Sequence, residues 1–248
     1  MAGLDNPDID VDLLYKINGY ADSLPGWVSD AVTFLVEYGF AIGLVLAVLG
    51  TWFLVRSRAG SAQAVAGVSW ALGAAGVSWL INQPISSFVA RPRPFIDHPD
   101  LHVLVEGKTG WSFVSDHSAG AMAIAVGLLL VHRKIGIAAI VLAFVQGFGR
   151  VFTAVHYPTD VLAGFALATA VALLLSPLAL YALTPLVRVL AGTRLLGWIA
   201  VGEDVRPDRD REREQGGADG ADGSGGEQGG DDGGGRHRAR ARRGVTAA

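Results

Sequence analysis

The chain has 248 residues, of which 51% are hydrophobic and 17% are charged, and its mean hydropathy is +0.39. Soluble domains carry about 25% charged residues, so this composition disfavours a soluble domain and favours a membrane protein. The formal net charge is −3, and nearly half of the acidic residues and about half of the arginines lie after Gly202, which leaves residues 1–202 more apolar still. The absence of cysteine excludes disulfides, thiolate nucleophiles and Cys-ligated metal centres.

The N-terminal segment begins MAGLDNPDIDVDLL. It is acidic where a secretory signal peptide needs positive charge, so no cleavable signal peptide is predicted. Residues 10–24 are too short and polar to span a bilayer, and we expect them to form an interfacial helix or a cap over the outer face. We assign residues 1–26 to this extracytoplasmic segment and residues 27–202 to a membrane domain.

Five apolar stretches predict membrane helices, because a bilayer core about 30 Å thick needs about 20 mostly apolar residues per span. The third stretch is short and begins with His117 and Ser118, so its outer end should lie in a polar pocket within the protein. The predicted fold is an all-α polytopic bundle of about five spans, with a sixth as the alternative. The five stretches lie near residues 32–55, 63–83, 117–132, 136–155 and 160–183.

The C-terminal part of the chain changes character twice. Residues 184–201 carry two arginines on an apolar background, and we expect an amphipathic helix on the cytoplasmic surface, with a sixth span as the alternative. Residues 203–248 are charged and glycine-rich, cannot bury a core, and should form a disordered cytoplasmic tail. The basic end of this tail either contacts anionic lipid or is solvated.

Basic residues in the short loops predict the orientation, because positive charge is retained on the cytoplasmic side of a membrane. The outer side then receives the acidic N-terminus, the loop 84–116 and the turn 156–159. The basic residues that follow alternate helices all fall on one side: Arg56, Arg58, His132, Arg133, Lys134, Arg188 and Arg194.

Three polar clusters, at residues 82–94, 112–118 and 149–160, all fall on the predicted outer side. Each has a structural explanation when taken alone. The arginines of the first could anchor a helix end at lipid phosphates, Ser115 could be the N-cap of the third helix, and His156 with Asp160 could be a buried polar pair. Arg150 is harder to explain as structure, because an ionised side chain near a span costs about 2.5–3.5 kcal/mol on insertion scales.

Together the clusters supply the groups that phosphoryl transfer requires. Arg93 and Arg150 can bind phosphate oxygens through planar guanidinium forks. The start of the third helix offers backbone amides and the Ser115 hydroxyl as a further anion site.

The imidazole groups complete this predicted chemistry. A neutral His156 can attack phosphorus if a carboxylate such as Asp160, four residues on, holds its other nitrogen and stabilises the developing charge. His117 is the candidate general acid for the leaving group. Water would then hydrolyse the phosphohistidine.

The clusters resemble the signature of the type 2 phosphatidic acid phosphatase (PAP2) family, the membrane relatives of the vanadium haloperoxidases. That signature consists of Lys-x6-Arg-Pro, then Pro-Ser-Gly-His, then Ser-Arg-x5-His-x3-Asp. The third motif is matched from Arg150 through His156 to Asp160, with Gly149 at the serine position.

The other two motifs are matched in part. The second keeps Ser115 and His117, with Val114 and Asp116 in place of proline and glycine. The first keeps Arg93-Pro94 but holds Ser86 at the lysine position. The resemblance covers roughly residues 30–183.

This resemblance implies an all-helical fold and an active site that needs neither metal nor cofactor. It implies a phosphohistidine at His156, with His117 as the acid. The implied phosphate contacts are Arg93, Ser115 and Arg150, and the missing lysine leaves Ser86 as a neutral donor and Arg91 as a compensating cation.

Within the family, the chain looks most like the bacterial undecaprenyl-diphosphate phosphatases, because RPRPF follows an asparagine-containing helix end and His-Tyr-Pro-x-Asp forms the third motif. The expected function is hydrolysis of a polyprenyl diphosphate to the monophosphate and phosphate in the cell membrane, at an outward-facing site. The expected partners are this lipid substrate and membrane lipid, without nucleic acid. Oligomeric state is not predicted.

Several alternatives remain open at this point. The substrate could instead be phosphatidate, phosphatidylglycerol phosphate or another lipid phosphate, and the chain could be a transporter or scaffold that retains an anion pocket. His156, Asp160 and His117 could also form a metal site. Charged residues of the long outer loop could contact a head group or face water: Asp97, His98, Asp100, His102, Glu106 and Lys108.

Overall fold

The computed structural model describes residues 8–105 and 107–205, and the regular structure of this part of the chain is all helical. The predicted tail, 203–248, lies outside the described residues except for its first three. A 3₁₀ turn (Gly19–Ser23) follows the first helix, and a π-helical turn (Leu35–Gly39) joins the second helix to the third. The helices are α1 (Asp8–Asn18), α2 (Gly26–Phe34), α3 (Phe40–Val55), α4 (Ser61–Val89), α5 (Pro94–Asp97), α6 (Asp116–Val131), α7 (Arg133–Phe152), α8 (Pro158–Leu174) and α9 (Ser176–Ala191).

Three helical segments in the described part are long and apolar enough to cross a membrane: Gly26–Val55, Ser61–Asp97 and Arg133–Phe152. A fourth crossing is formed if α8 and α9, which meet at an angle of 54°, act as one broken span. The remaining apolar helix, α6, has 16 residues and is shorter than a usual span. The membrane character of the chain is confirmed, and the predicted count of about five spans depends on including α6.

Helix α6 lies at the centre of the bundle, where it packs against α3, α4, α7 and α8. Most of its side chains are buried by these neighbours, so it does not need an apolar face toward lipid. Small residues allow the close packing: a Cβ atom added to Gly127 would lie 2.5 Å from Ala71 Cα on α4. The first turn of α6, which carries His117, is thereby fixed inside the protein.

Proline explains where the observed helices depart from the predicted ranges. Helix α4 continues through Pro84 to Val89, although the predicted span ends at residue 83, because neighbouring helices in a membrane protein tolerate the lost backbone hydrogen bond. The predicted span 160–183 is wrong at its end, since the chain bends after Leu174 and Pro177 lies in the first turn of α9. The separate amphipathic helix over 184–201 is also wrong: α9 includes residues up to Ala191, and 192–205 form turns.

Helix α4 extends from one polar end of the bundle to the other. With 29 residues, α4 is about 43 Å long. At its first turn, Asp204 accepts hydrogen bonds from the backbone N–H groups of Ser61 and Ala62. At its other end lie the three polar clusters, with α1 packed over them against α7 and α8, where the sequence predicts an interfacial helix or cap.

Candidate active site

Ser112 connects the three polar clusters. Its backbone N–H donates to Arg91 O at 2.8 Å, which ties the second cluster to the first. Its carbonyl oxygen lies 2.8 Å from His156 Nδ1, and its hydroxyl donates to Asp160 Oδ2 at 2.5 Å. Ser112 is completely buried, so these bonds are shielded from water. The sequence places Ser112 in a polar cluster but does not indicate that it connects the three clusters.

His156 is held in place by the C-terminal end of α7. That helix ends at Phe152, and Ala154 turns the chain with a φ of 59°, the left-handed conformation typical just after a helix end. The backbone N–H groups of Val155 and His156 then both donate to Arg150 O, at 3.2 and 3.3 Å. The backbone of Arg150 therefore fixes the position of His156, the candidate nucleophile.

The hydrogen bond to Ser112 selects the tautomer of His156. A carbonyl oxygen can only accept, so Nδ1 carries the proton and Nε2 keeps its lone pair. Nε2 faces Arg93, whose Nη1 lies 3.4 Å away. Burial lowers the pKa of His156; Asp160 raises it, while Arg150 and Arg93 lower it further. The imidazole is accordingly neutral at neutral pH, as a nucleophile must be.

Asp160 does not bond directly to His156 as predicted: Oδ2 lies 3.7 Å from Nδ1. His156 lies before α8, because Tyr157 is the N-cap of that helix and Asp160 is its third residue, so the two side chains are not on one helical turn. Its carboxylate instead accepts from the Tyr157 backbone N–H at 2.9 Å, as in a capping box. Asp160 still places a completely buried negative charge beside the imidazole.

Arg91 binds carboxylates in this structure. Its Nη1 donates to Asp160 Oδ1 at 2.6 Å and its Nη2 donates to Asp10 Oδ2 at 2.5 Å. The guanidinium carbon also lies 3.7 Å from the centroid of the Tyr157 ring, and only 7% of the side chain is exposed. These contacts do not fit the predicted role of Arg91 as a compensating phosphate ligand, and we expect it to position Asp160.

Arg93 and Arg150 each have one buried N–H group without an acceptor among the described residues. Arg93 donates to Val155 O at 3.3 Å and to Thr109 O at 3.1 Å, while Arg150 donates through Nη1 to Glu37. The Nε atoms of both arginines are buried without a hydrogen-bond partner among the described residues. Buried donors are normally satisfied, so these two groups fit an anionic ligand such as a phosphate group.

Glu37 and Lys108 belong to the same site, although the sequence does not reveal it. Glu37 lies in the π-helical turn before α3, and its Oε2 accepts from Lys108 Nζ at 2.5 Å. Lys108 belongs to the outer loop in which the sequence allows a solvated role. The available signal for Glu37 is a carboxylate in an otherwise apolar span, which requires a partner.

The remaining predicted residues lie near the end of α4 and at the start of α6. Ser115 is the N-cap of α6, but its hydroxyl contacts Ser118 Oγ at 3.0 Å instead of bonding to a backbone N–H as predicted. His117 is half-buried in the first turn of α6. Ser86 lies half-buried near the end of α4.

The described residues do not provide a ligand set for a metal ion. Among residues 8–105 and 107–205, His, Asp and Glu side chains do not gather in a group of three that could hold one. Both carboxylate oxygens of Asp160 are engaged, Oδ1 by Arg91 and Oδ2 by Ser112. The alternative of a metal site formed by His156, Asp160 and His117 has no support in this geometry.

Comparisons with known proteins identify the family of this chain. Residues 66–183 match the PAP2 superfamily model. The chain is 33% identical to undecaprenyl-diphosphatase BcrC of Bacillus subtilis over 137 residues, which cover 55% of this chain and 67% of that protein. It is 35% identical to decaprenylphosphoryl-5-phosphoribose phosphatase of Mycobacterium tuberculosis over 131 residues, covering 52% of this chain and 66% of the relative.

A solved structure shows the same fold. The crystal structure of the transmembrane PAP2-type phosphatidylglycerolphosphate phosphatase from Bacillus subtilis superposes with a TM-score of 0.52 at 23% identity. The superposition covers 70% of this chain and 87% of the other. The motifs, the fold and the relatives together show that this chain belongs to the PAP2 superfamily of membrane phosphatases.

Proposed function

We propose that this membrane lipid phosphatase hydrolyses a polyprenyl diphosphate to the monophosphate and phosphate through a phosphohistidine at His156. One observation carries the chemical part of this proposal. His156 Nδ1 is committed to the Ser112 carbonyl at 2.8 Å, which leaves the Nε2 lone pair directed toward Arg93. A nucleophile with a fixed tautomer, beside two arginines with unused donors, is suited to attack phosphorus.

In the first step, Nε2 attacks the terminal phosphorus, so the nitrogen–phosphorus bond forms as the bond to the bridging oxygen breaks. Polyprenyl monophosphate leaves with the bonding electrons, and His117 donates a proton to the departing oxygen. Arg93 and Arg150 stabilise the charge on the transferring phosphoryl group. In the second step, water attacks the phosphorus as the nitrogen–phosphorus bond breaks and returns its electron pair to Nε2. His117 takes a proton from that water, and phosphate leaves.

Asp160 supports the positive charge that the imidazole ring acquires in the first step. It lies 3.7 Å from Nδ1 and is held by donors from Arg91, Ser112 and the Tyr157 backbone. These bonds keep the carboxylate ionised and in place without using the imidazole proton. The charge therefore acts through space while the Ser112 carbonyl fixes the ring.

The names of two relatives support a polyprenyl substrate. BcrC is an undecaprenyl-diphosphatase, and the mycobacterial relative acts on a decaprenylphosphoryl sugar phosphate. Both names describe a phosphate group carried by a long prenyl lipid. The solved neighbour is named for phosphatidylglycerolphosphate, but its identity of 23% carries the fold alone.

A substrate panel tests this assignment. The protein purified in detergent should release phosphate from undecaprenyl diphosphate with a kcat/KM at least about tenfold above that for phosphatidate, because a diphosphate has the better leaving group and more charge for the arginines. Decaprenylphosphoryl-5-phosphoribose and phosphatidylglycerol phosphate complete the panel. A higher kcat/KM on any of these three would contradict the polyprenyl diphosphate proposal.

We further propose that the His156 end of the bundle faces outward. This end is opposite the basic loops around Arg56 and Lys134, which the positive-inside rule places in the cytoplasm. The absence of cysteine allows a direct test. In intact cells, Asp100→Cys in the outer loop should react with a membrane-impermeant maleimide, whereas Ser57→Cys should react only after permeabilisation. The reverse pattern would place the site inside.

A further inference from the structure

The π-helical turn Leu35–Gly39 delivers a carboxylate to the phosphate site. Glu37 is the one charged residue of the predicted span 32–55, and a charge within a membrane span is costly and usually functional. Each of its oxygens contacts a different cation. Oε1 accepts from Arg150 Nη1, and Oε2 accepts from Lys108 Nζ at 2.5 Å. Glu37 thus links the buried arginine to the outer loop.

Gly149 makes this approach possible. A Cβ atom added at Gly149 would lie 2.6 Å from Val36 Cγ2, so the serine of the PAP2 motif would clash with the π-helical turn. The side chain of Val36 is 2% exposed and has little room to move. The departure from the motif at Gly149 is therefore coupled to the position of Glu37, one residue after Val36.

Lys108 retains donors after it has bonded to Glu37. An ammonium group has three N–H donors, and the bond to Glu37 uses one of them. The Lys108 side chain is 26% exposed, so it lies at the rim of the site instead of being enclosed. Through Glu37 it is connected to Arg150, one of the two arginines of the candidate phosphate site.

We propose that Lys108 is a phosphate-binding residue, positioned by Glu37, that supplies the cation missing at Ser86. The proposal rests on the proposed function and names a further contact of the same site. Ser86 offers only a neutral donor where the family motif has lysine, and Arg91 is bonded to Asp10 and Asp160. Lys108 is the cation that the structure brings to Arg150 from outside the motifs.

The charges support this assignment. The Glu37 carboxylate offsets the positive charge of Arg150, which would leave Arg93 alone to balance a substrate with two phosphate groups. Lys108 restores one positive charge on the side of Glu37 that faces the outer loop. Bonding to Glu37 also restricts the long lysine side chain, so less conformational entropy is lost when phosphate binds.

The test compares Lys108→Met with Lys134→Met, a matched change on an exposed lysine in the first turn of α7, at the opposite end of the bundle. Lys108→Met should lower kcat/KM and raise the inhibition constant for inorganic phosphate, each by about tenfold or more, because a charge-assisted hydrogen bond is lost. Lys134→Met should change neither value by more than about twofold. Adding Ser86→Lys to the Lys108→Met variant should restore both values, because it rebuilds the family's arrangement.

Two results would overturn the proposal: full activity of Lys108→Met, or a loss of activity with an unchanged inhibition constant for phosphate. The inhibition constant for phosphate distinguishes a lost phosphate contact from a purely structural effect.

A double variant tests the role of Glu37. If Glu37 acts by positioning Lys108, the fold-loss in kcat/KM of the Glu37→Gln, Lys108→Met double variant should be smaller than the product of the two single losses. A double-variant loss equal to that product would contradict positioning. Should the parent protein prefer another lipid phosphate, the substrate proposal fails, and the same comparisons on that lipid still decide the role of Lys108.

Discussion

Replacing His156 with asparagine should lower kcat by at least about 10⁴-fold, the effect expected when a covalent nucleophile is removed. The asparagine amide nitrogen can still donate to the Ser112 carbonyl, which His156 Nδ1 contacts at 2.8 Å. The variant therefore keeps the local hydrogen bond but has no atom in place of Nε2. Phosphate release from polyprenyl diphosphate measures the loss.

A matched control separates chemistry from folding. His102 is exposed on the outer loop of the same face, and His102→Asn should keep activity within about twofold of the parent. Both variants should elute from size exclusion and unfold on heating like the parent protein. Turnover by His156→Asn above about one percent of the parent value would rule out His156 as the nucleophile.

Replacing Arg150 with lysine should lower kcat/KM by about 10²–10³-fold, although the formal charge is unchanged. Arg150 donates through Nη1 to Glu37 while its buried Nε stays available for a phosphate oxygen. A lysine ammonium group lacks the planar fork of a guanidinium group, so it cannot bind Glu37 and a phosphate oxygen with the same geometry. Loss of one preorganised donor to a developing anion typically costs a factor of this size.

Lysine is more informative than alanine at this position. Alanine would leave the Glu37 carboxylate with Lys108 as its remaining cation in the site, and the variant could lose stability as well as activity. Arg188→Lys, on an exposed part of α9, is the matched control and should be silent. An Arg150→Lys enzyme within about threefold of the parent would show that the guanidinium fork is not required.

Sequence patterns predicted the helices well where apolar length decides the outcome. The third predicted helix, 117–132, differs from α6 by one residue at each end, since Ser115 and Asp116 mark a helix start and the apolar run marks its extent. The bend after Leu174 was missed because the apolar run continues through it. Pro177 was the available signal, and its missing backbone N–H explains why α8 and α9 are separate.

The sequence indicates which polar residues come together at the candidate site but not how they bond. The motif spacing indicated Arg150, His156 and Asp160, and the structure brings them together with Arg93. The partner of His156 Nδ1 could not be predicted, because it is a backbone carbonyl from a different cluster. Tertiary folding alone decides that Ser112 lies beside residue 156.

Glu37 and Asp10 were missed for a related reason. Each is a carboxylate far in sequence from the motifs, and each forms an ion pair with an arginine of the site: Asp10 on α1 with Arg91, and Glu37 with Arg150. Glu37 lies in a π-helical turn, and a π-helical turn has more residues per turn than an α-helix, which changes which side chains face the bundle. Periodicity of 3.6 residues per turn does not predict such a turn.

The most direct test of the proposed phosphohistidine at His156 is to trap the covalent intermediate. The purified protein is mixed with polyprenyl diphosphate carrying a labelled terminal phosphate, quenched in alkali within one turnover, and digested for mass spectrometry. We expect an acid-labile, alkali-stable phosphoryl group on the peptide that contains His156. Label on another residue, or single turnovers that release phosphate without any labelled protein, would contradict it.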